Sequence, residues 1–410
     1  MLLNRPRLEE RLAAEGLDAV VLATPINVAY GAGFASEFLL GRFEDWTTAV
    51  VLARDPAVPP VIVMPEFDLP YHCEAAGWIE EIQLYGNPWS SVGAFMGATL
   101  EARLDSALRV KLKAERERLK PAQQATFFAA LEKAIRDRGL AGARLACDDL
   151  RVAARLEAAG LGGNQGIADA LWTMRRVRIV KTPDERAILT AGAAINAEAL
   201  DAVIAAARPG LTEADMVRVY RERLTACDAR WLGERGMMFG PGDASSFSLP
   251  EGAERRLDVG DAIVLDCLGT YRGYHMDLAR TGVIGEPSPA QQNRFQAVLT
   301  ALEAVEAQLM RPGADTQEVR TLVRSVVKGF GLRPELVSVT THALGLEVFE
   351  FPHENALAEG FALEEGMVVN TEVFYRDPEL GAFHLEDSVA IEQTGCAWLH
   401  PGKRELVVIR

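Results

Sequence analysis

Residues 262–284 read AIVLDCLGTYRGYHMDLARTGVI: two apolar runs, 262–269 and 274–284, on either side of the turn Tyr271-Arg272-Gly273. Runs of this kind about a short glycine-containing loop pair as an antiparallel hairpin. Each run carries one acid, Asp266 in IVLDCLG and Asp277 in YHMDLAR, and the midpoint between them falls inside the turn. A symmetric hairpin sets the two directly opposite each other. Opposed residues have Cβ atoms about 4.5 to 5.5 Å apart, close enough for both carboxylates to grip one ion.

The pattern recurs in 367–375 and 383–392. Glu372 in VVNTEVFY and Glu386 in FHLEDSVAI are centred on the polar loop 376–381, which makes them a second opposed pair. All four acids sit among apolar residues, where an uncompensated carboxylate costs many kcal/mol. Basic residues close in sequence are few, Arg272, Arg280 and Arg376 being the main ones, whereas two divalent cations would balance four carboxylates completely. Any one of the acids, taken alone, fits a hairpin residue paired with arginine or facing solvent just as well; the four together do not. His342, in Thr341-His342-Ala343-Leu344-Gly345-Leu346, is flanked by small residues in a glycine-containing loop, which suits an imidazole presented to a ligand. Taken alone, it reads as a core histidine.

The rest of the chain frames this centre. A length of 410 residues fits two domains. With 49% hydrophobic and 25% charged residues the composition is globular. No segment reaches the roughly 18 uninterrupted apolar residues of a membrane helix, so a soluble protein without a membrane partner is expected. Residues 1–10 carry Arg5, Arg7, Glu9 and Glu10 and no apolar run, which argues against a secretory signal and for the cytoplasm. Cys73, Cys147, Cys227, Cys267 and Cys396 are scattered, with no C-x-x-C pair, and read as reduced core residues. A net charge of -15, from 43 basic and 58 acidic residues, disfavours nucleic acid as a partner.

Short β-branched runs at 17–25, 47–54 and 59–65, with helical patterns at 125–139 and 151–159, give an α/β first half. Lys181-Thr182-Pro183-Asp184-Glu185 is a capping box that opens a long helix running towards Arg208. The same chemistry recurs at Thr212 with Asp215 and at Ser288-Pro289 with Gln291. No tandem repeat or low-complexity tract is present.

The segments VLDCLGTYRGYHMDLART and HALGLEVFE, with the acids of TEVFY and HLEDSVAI, resemble the pita-bread-fold metallopeptidases, including prolidase and aminopeptidase P. LDAVVLATPINVAYGAGF resembles the family's creatinase-like amino-terminal domain, and IVKTPDERAILTAGA the segment that opens its catalytic domain. The resemblance implies an α/β creatinase-like domain over 1–175 and an α+β pita-bread catalytic domain with a dinuclear metal site over 176–410. By the same resemblance Asp266 chelates one ion, Asp277 and Glu386 bridge both, and His342 and Glu372 complete the other, leaving room for a bridging water that attacks an amide as hydroxide. Glu372 is the implied general base, a homodimer the implied assembly, and an Xaa-Pro dipeptidase or aminopeptidase the implied activity on a short peptide. The oxygen-rich ligand set favours Mn²⁺, with Co²⁺, Fe²⁺ or Zn²⁺ as alternatives.

The chain departs from that family around the metals. Phe349 stands where an auxiliary histidine follows the ligand histidine, and 247–252, FSLPEG, holds no second one. His384 replaces a common arginine, and Val373-Phe374 replaces proline-glycine. His353 and His384 are therefore candidate catalytic groups, and His275 shares the strand face of Asp277. The departures keep open a hydrolase or lyase for a small non-peptide metabolite, similar to ectoine hydrolase. A non-catalytic interaction protein is the third reading, opposed by the retention of all five ligands. Phe43, Trp46 and Trp89 are candidates for closing the partner's active site.

Overall fold

A computed structural model describes residues 2–33, 48–75, 77–86, 106–231, 238–239, 255–400 and 402–410; Phe43, Trp46, Trp89 and the stretch 247–252 lie outside them. The chain divides into two compact units, Met1–Arg178 and Ile179–Arg410. A boundary at 175/176 would cut the helix Leu171–Arg178, and the division falls after it.

The first unit is α/β. Its strands are β1 (Ala19–Leu22), β2 (Ala49–Ala53), β3 (Val61–Pro65), β4 (Glu81–Tyr85), β5 (Leu145–Cys147) and β6 (Ala168–Asp169). They form a sheet in the order β4-β3-β2-β1-β5-β6, with β1 antiparallel to β2 and parallel to β5. Strands β1, β2 and β3 are buried at every position, which is why they read as unbroken Val/Ile/Leu runs and not as alternation. Helices α1 (Arg5–Ala14), α2 (Pro25–Ala32), α3 (Leu69–Ala75), α4 (Ser106–Leu119), α5 (Phe127–Asp137), α6 (Leu150–Ala158) and α7 (Leu171–Arg178) complete the unit. On α5, Phe127, Ala130, Leu131, Ala134 and Ile135 fall on one helical stripe and pack with Val61, Val63 and Tyr85 of the sheet.

The second unit holds α8 (Pro183–Ala206), α9 (Glu213–Ala226), β7 (Arg230–Trp231), β8 (Met238–Phe239), β9 (Ala262–Tyr271), β10 (Tyr274–Ile284), α10 (Pro289–Gln308), α11 (Thr316–Gly329), β11 (Val337–Ala343), α12 (Ala356–Glu359), β12 (Val368–Asp377), β13 (Gly381–Glu392), β14 (Gly395–Trp398) and β15 (Val407–Ile409). Reciprocal capping boxes open α8, α9 and α10 at Thr182/Glu185, Thr212/Asp215 and Ser288/Gln291. Helix α8 is long and apolar enough by length and composition to cross a membrane. Its Ala199, Leu200 and Val203 pack with α9 and the sheet residues Ile263, Leu265, Cys267 and Met276.

The strands run β11-β12-β13-β10-β9-β7, with β8 on β9, β14 on β13 and β15 on β10. Alternation along the strands separates two faces. Ile263, Leu265 and Cys267 meet α8 and α9, while Val369, Val373, Leu385 and Val389 meet α10 and α11. The other face carries Asp266, Asp277, Glu372 and Glu386 beside a small apolar cluster of Val264, Phe374 and Ala382.

One register differs from expectation. Tyr271 pairs with Tyr274, so the β9–β10 turn is the two residues Arg272-Gly273 and Tyr271 belongs to the strand. Both turn residues have positive φ, 49° and 85°, as a tight I′-like hairpin turn requires. The shorter turn pairs Asp266 with Ala279 and Asp277 with Leu268, making the two aspartates diagonal neighbours instead of opposed ones. Glu372 and Glu386 do pair directly.

A buried polar cluster ties the start of α8 to the sheet unit. The Lys181 Nζ lies 2.5 Å from Glu350 Oε2, both side chains fully buried. Glu185 accepts hydrogen bonds from Thr182 N at 2.8 Å and from the Tyr274 hydroxyl at 3.1 Å. Burial nevertheless pushes its carboxyl up to about 7. A raised carboxyl pKa means the folded state binds its proton more tightly, so this stabilisation is complete below about pH 4.5 and is lost as pH rises through about 7. Urea unfolding at pH 5 and pH 8 tests this: Glu185→Gln should be more stable than the parent chain at pH 8, by up to roughly 3 kcal/mol, with the advantage shrinking at pH 5. An advantage equal at both pH values would contradict it.

Candidate metal centre

Strand register alone assembles the centre. Thr340 pairs with Glu372, Glu372 with Glu386, Glu386 with Ala279, and Ala279 with Asp266, so one straight row crosses β11, β12, β13, β10 and β9. Paired residues share a face, as do residues two apart on a strand. Asp277 therefore flanks Ala279, His342 flanks Thr340, and His384 flanks Glu386 on that same face. The only member of the row with no side chain beyond Cβ is Ala279, which leaves a gap between Asp266 and Glu386.

His342 belongs to strand β11, not to a loop, and is buried. The small residues after it begin the loop only beyond Ala343, because the strand pairs with β12 through Ala343–Val369. Its Nε2 lies 3.4 Å from Glu386 Oε1 and 3.8 Å from Asp277 Oδ2. On the other side of Glu386, His384 Nε2 lies 3.5 Å from Glu372 Oε2 and 3.8 Å from Glu386 Oε2. Two groups of ligand atoms result, Asp277–His342–Glu386 and Glu372–His384–Glu386, each with its atoms within 4.8 Å of one another. Asp266 falls in neither group and faces the gap over Ala279.

The electrostatics are those of a face waiting for positive charge. Burial, then the charges of Glu386 and Glu372, push the Asp266 carboxyl well above its ordinary range. Burial, then Glu386 and Asp266, do the same to Asp277. Burial, then Glu386, raises Glu372 to about 7. Burial works against a charged Glu386, but the hydrogen bond from His342 and the charges of both histidines outweigh it and hold that carboxyl low. His342 is raised, burial opposing and Glu386 and Glu372 prevailing. Burial takes His384 down to about 4. Asp266 Oδ1, Asp277 Oδ1 and both ring nitrogens of His384 are buried without a hydrogen-bond partner among the described residues.

Two nearby arginines make their hydrogen bonds to other groups. Arg280 donates through Nη2 to Asp387 at 2.7 Å and through Nη1 to the Glu386 carbonyl, on the helix side of the strand. Arg376 lies over the Phe374 ring and donates to Ser338. A dry set of crowded carboxylates and imidazoles with no thiolate fits divalent cations, and Asp266, Asp277, His342, Glu372 and Glu386 are the residues that would hold them.

Other candidate histidines are engaged elsewhere. His353 Nε2 lies 3.1 Å from the Gly360 carbonyl and belongs to neither ligand group. His275 donates its backbone N–H to the Gly345 carbonyl at 2.8 Å and has Nδ1 3.2 Å from the same oxygen, holding the loop that follows His342. Phe349 is 45% exposed and packs its ring against His342, centroids 4.5 Å apart.

Sequence reasoning missed the supports of the centre. Asn370, paired with His342 on the same face, donates to Glu386 Oε1 at 2.8 Å and accepts from Ser388 Oγ at 2.6 Å. Behind the sheet, Asp387 bridges Arg280 and Arg404, and Arg404 reaches Glu306 of α10. The adjacency of Glu386 and Asp387 was the available signal, since neighbours on a strand face opposite ways.

Known proteins are similar to this chain. An Xaa-Pro dipeptidase of Pyrococcus furiosus is 31% identical over 243 residues, 57% of this chain and 66% of that protein, so the match spans slightly less than two thirds of the relative. The crystal structure of the prolidase from Pyrococcus horikoshii OT3 superposes with a TM-score of 0.71 at 20% identity, covering 98% of this chain and 99% of that one. An Xaa-Pro dipeptidase from Bacillus anthracis gives 0.73 at 20% identity, with 98% of each chain covered. At these identities the likeness establishes the fold, which is the pita-bread fold with an α/β amino-terminal unit. Residues 187–393, just over half of the chain and inclusive of all five acidic and imidazole positions, match the model of "Metallopeptidase family M24", and to that family this chain belongs.

Proposed function

We propose that the chain is a dinuclear metal-dependent amide hydrolase that acts on short peptides with proline after the scissile bond, in the manner of an Xaa-Pro dipeptidase or aminopeptidase. The observation that carries this reading is the row Asp266–Ala279–Glu386–Glu372, which gathers carboxylates around a gap on one dry sheet face, with Asp266 Oδ1 and the flanking Asp277 Oδ1 buried and unpartnered among the described residues. The names of the M24 relatives support the substrate class. Asp266, Asp277, His342, Glu372 and Glu386 would hold two cations, which when bound supply Lewis-acid polarisation of a carbonyl and acidify a water. The reading takes Mn²⁺ as the working metal and a homodimer in the cytoplasm as the working form.

The chain's own groups divide the remaining work. Glu372 is the least buried of the four acids, its side chain 18% exposed, and stands at the edge where a substrate meets the centre. A carboxylate at that place fits proton transfer from water to the leaving nitrogen. Asn370 and Ser388 fix the Glu386 carboxylate, so its two oxygens keep their directions.

The exposed Phe349 ring beside His342 favours one second reading, a small non-peptide amide substrate with an apolar part. A screen of Xaa-Pro dipeptides, longer Xaa-Pro peptides and small amides, with added Mn²⁺, separates the two. Proline-dependent cleavage supports the first reading, and Glu372→Gln should lower it by about 10² or more. Cleavage of small amides alone supports the second.

The charge arrangement also makes a stability prediction of opposite signs. Metal at about 100 times its Kd should stabilise the stripped protein by about 2.7 kcal/mol, a rise in Tm of several degrees by calorimetry. Asp266→Asn should raise the Tm of the metal-free protein at pH 7.5, because a buried like charge is gone, and should lose most of the metal-dependent gain. A drop in the metal-free Tm would contradict the electrostatic account.

A further inference from the structure

Five side chains of the centre have assigned partners in the dinuclear reading, and a sixth has none. His384 stands on β13 two residues before Glu386, on the same face, and is wholly buried. Its backbone is held on both sides by Thr281, whose Oγ1 accepts from His384 N at 2.7 Å and donates to the His384 carbonyl at 2.9 Å. The ring packs edge-on against Phe374, centroids 4.7 Å apart, which fixes its plane. Among the described residues nothing bonds to either nitrogen. A buried imidazole with no hydrogen bond is a cost that native structures seldom carry without a ligand or chemical role.

The direction of the ring says what that role is. Nε2 lies 3.5 Å from Glu372 Oε2 and 3.8 Å from Glu386 Oε2. Metal–ligand bonds of about 2.0–2.2 Å place two donors of one ion no more than roughly 4.4 Å apart, and both separations fall inside that limit. Glu386 divides its oxygens, Oε1 towards His342 and Oε2 towards His384, so it stands between two imidazoles as a shared carboxylate. Each histidine completes a group of one nitrogen and two carboxylate oxygens with matching dimensions.

Resting on the dinuclear reading above, we propose that His384 is a sixth protein ligand, binding through Nε2 the cation held between Glu372 and Glu386. A second imidazole beside His342 moves that position further from the oxygen-rich environment suited to Mn²⁺ and towards cations that accept nitrogen well, Zn²⁺ and Co²⁺. The Asp266 side of the centre keeps its oxygen donors and its preference for the harder ion.

The test uses the full chain, stripped of metal and titrated calorimetrically with Zn²⁺, Co²⁺ and Mn²⁺, beside His384→Leu, which fills the same space without a donor, and His384→Gln should the leucine variant fold poorly. The parent chain should bind two ions. The variants should bind the weaker of the two about tenfold less tightly for Zn²⁺ and Co²⁺, with a smaller change for Mn²⁺. Zinc X-ray absorption at full loading should report on average one imidazole per zinc in the parent and half that in the variant. Two ions bound with unchanged affinity and an unchanged imidazole count would overturn the assignment of His384 and leave the dinuclear reading standing. Fewer than two ions in the parent chain would overturn both.

Discussion

Like charges held on a dry surface are the constraint from which the second unit is built. Two unit charges about 4 Å apart repel by about 4 kcal/mol at an effective dielectric near 20, and the sheet gathers four carboxylates on one face. Covalent chemistry does not force them together; backbone pairing does. The row from Thr340 to Asp266 exists because five consecutive strands keep register, and a slip of one residue in any strand would turn its acid into the helix side.

That register is held from behind. Arg280, Asp387, Arg404 and Glu306 form a buried chain of ion pairs that links β10, β13, the carboxy-terminal segment and α10. The Lys181–Glu350 pair links the start of α8 to the segment after His342, and His275 clasps the Gly345 carbonyl. These networks bring opposite charges together on the sides where the sheet is packed. On the face that carries the acids, Asp266 Oδ1 and Asp277 Oδ1 have no hydrogen-bond partner among the described residues, and a buried charge without one is strongly destabilising. Cations complete the same logic.

Much of this was legible in the sequence because it depends on local chemistry. The three capping boxes mark the starts of α8, α9 and α10, and the polar loop 376–381 is symmetric about its centre, so Glu372 and Glu386 pair as the spacing predicts. The first hairpin shows the limit. Nothing in the composition of Tyr271-Arg272-Gly273 announces an arginine at φ 49°, since Gly and Asn are the usual occupants, and counting Tyr271 into the turn misplaced Asp266 by two positions. His342 read as a loop residue because Ala343 and Gly345 are small, whereas pairing with β12 keeps it in a strand. Asn370, Lys181 and Arg404 act over separations that no short window reveals; Arg404 meets Glu306 and Lys181 meets Glu350 only through the fold. Phe43, Trp46 and Trp89 lie outside the described residues.

The central claim is that the acids of this face are ligands for a pair of cations, and counting the metal tests it most directly. Elemental analysis of the full chain, equilibrated with micromolar free Mn²⁺ or Co²⁺ and freed of excess by gel filtration, should return close to two ions per chain. A folded protein that retains none would contradict the account, because the repulsion among Asp266, Asp277, Glu372 and Glu386 would then need another source of compensation.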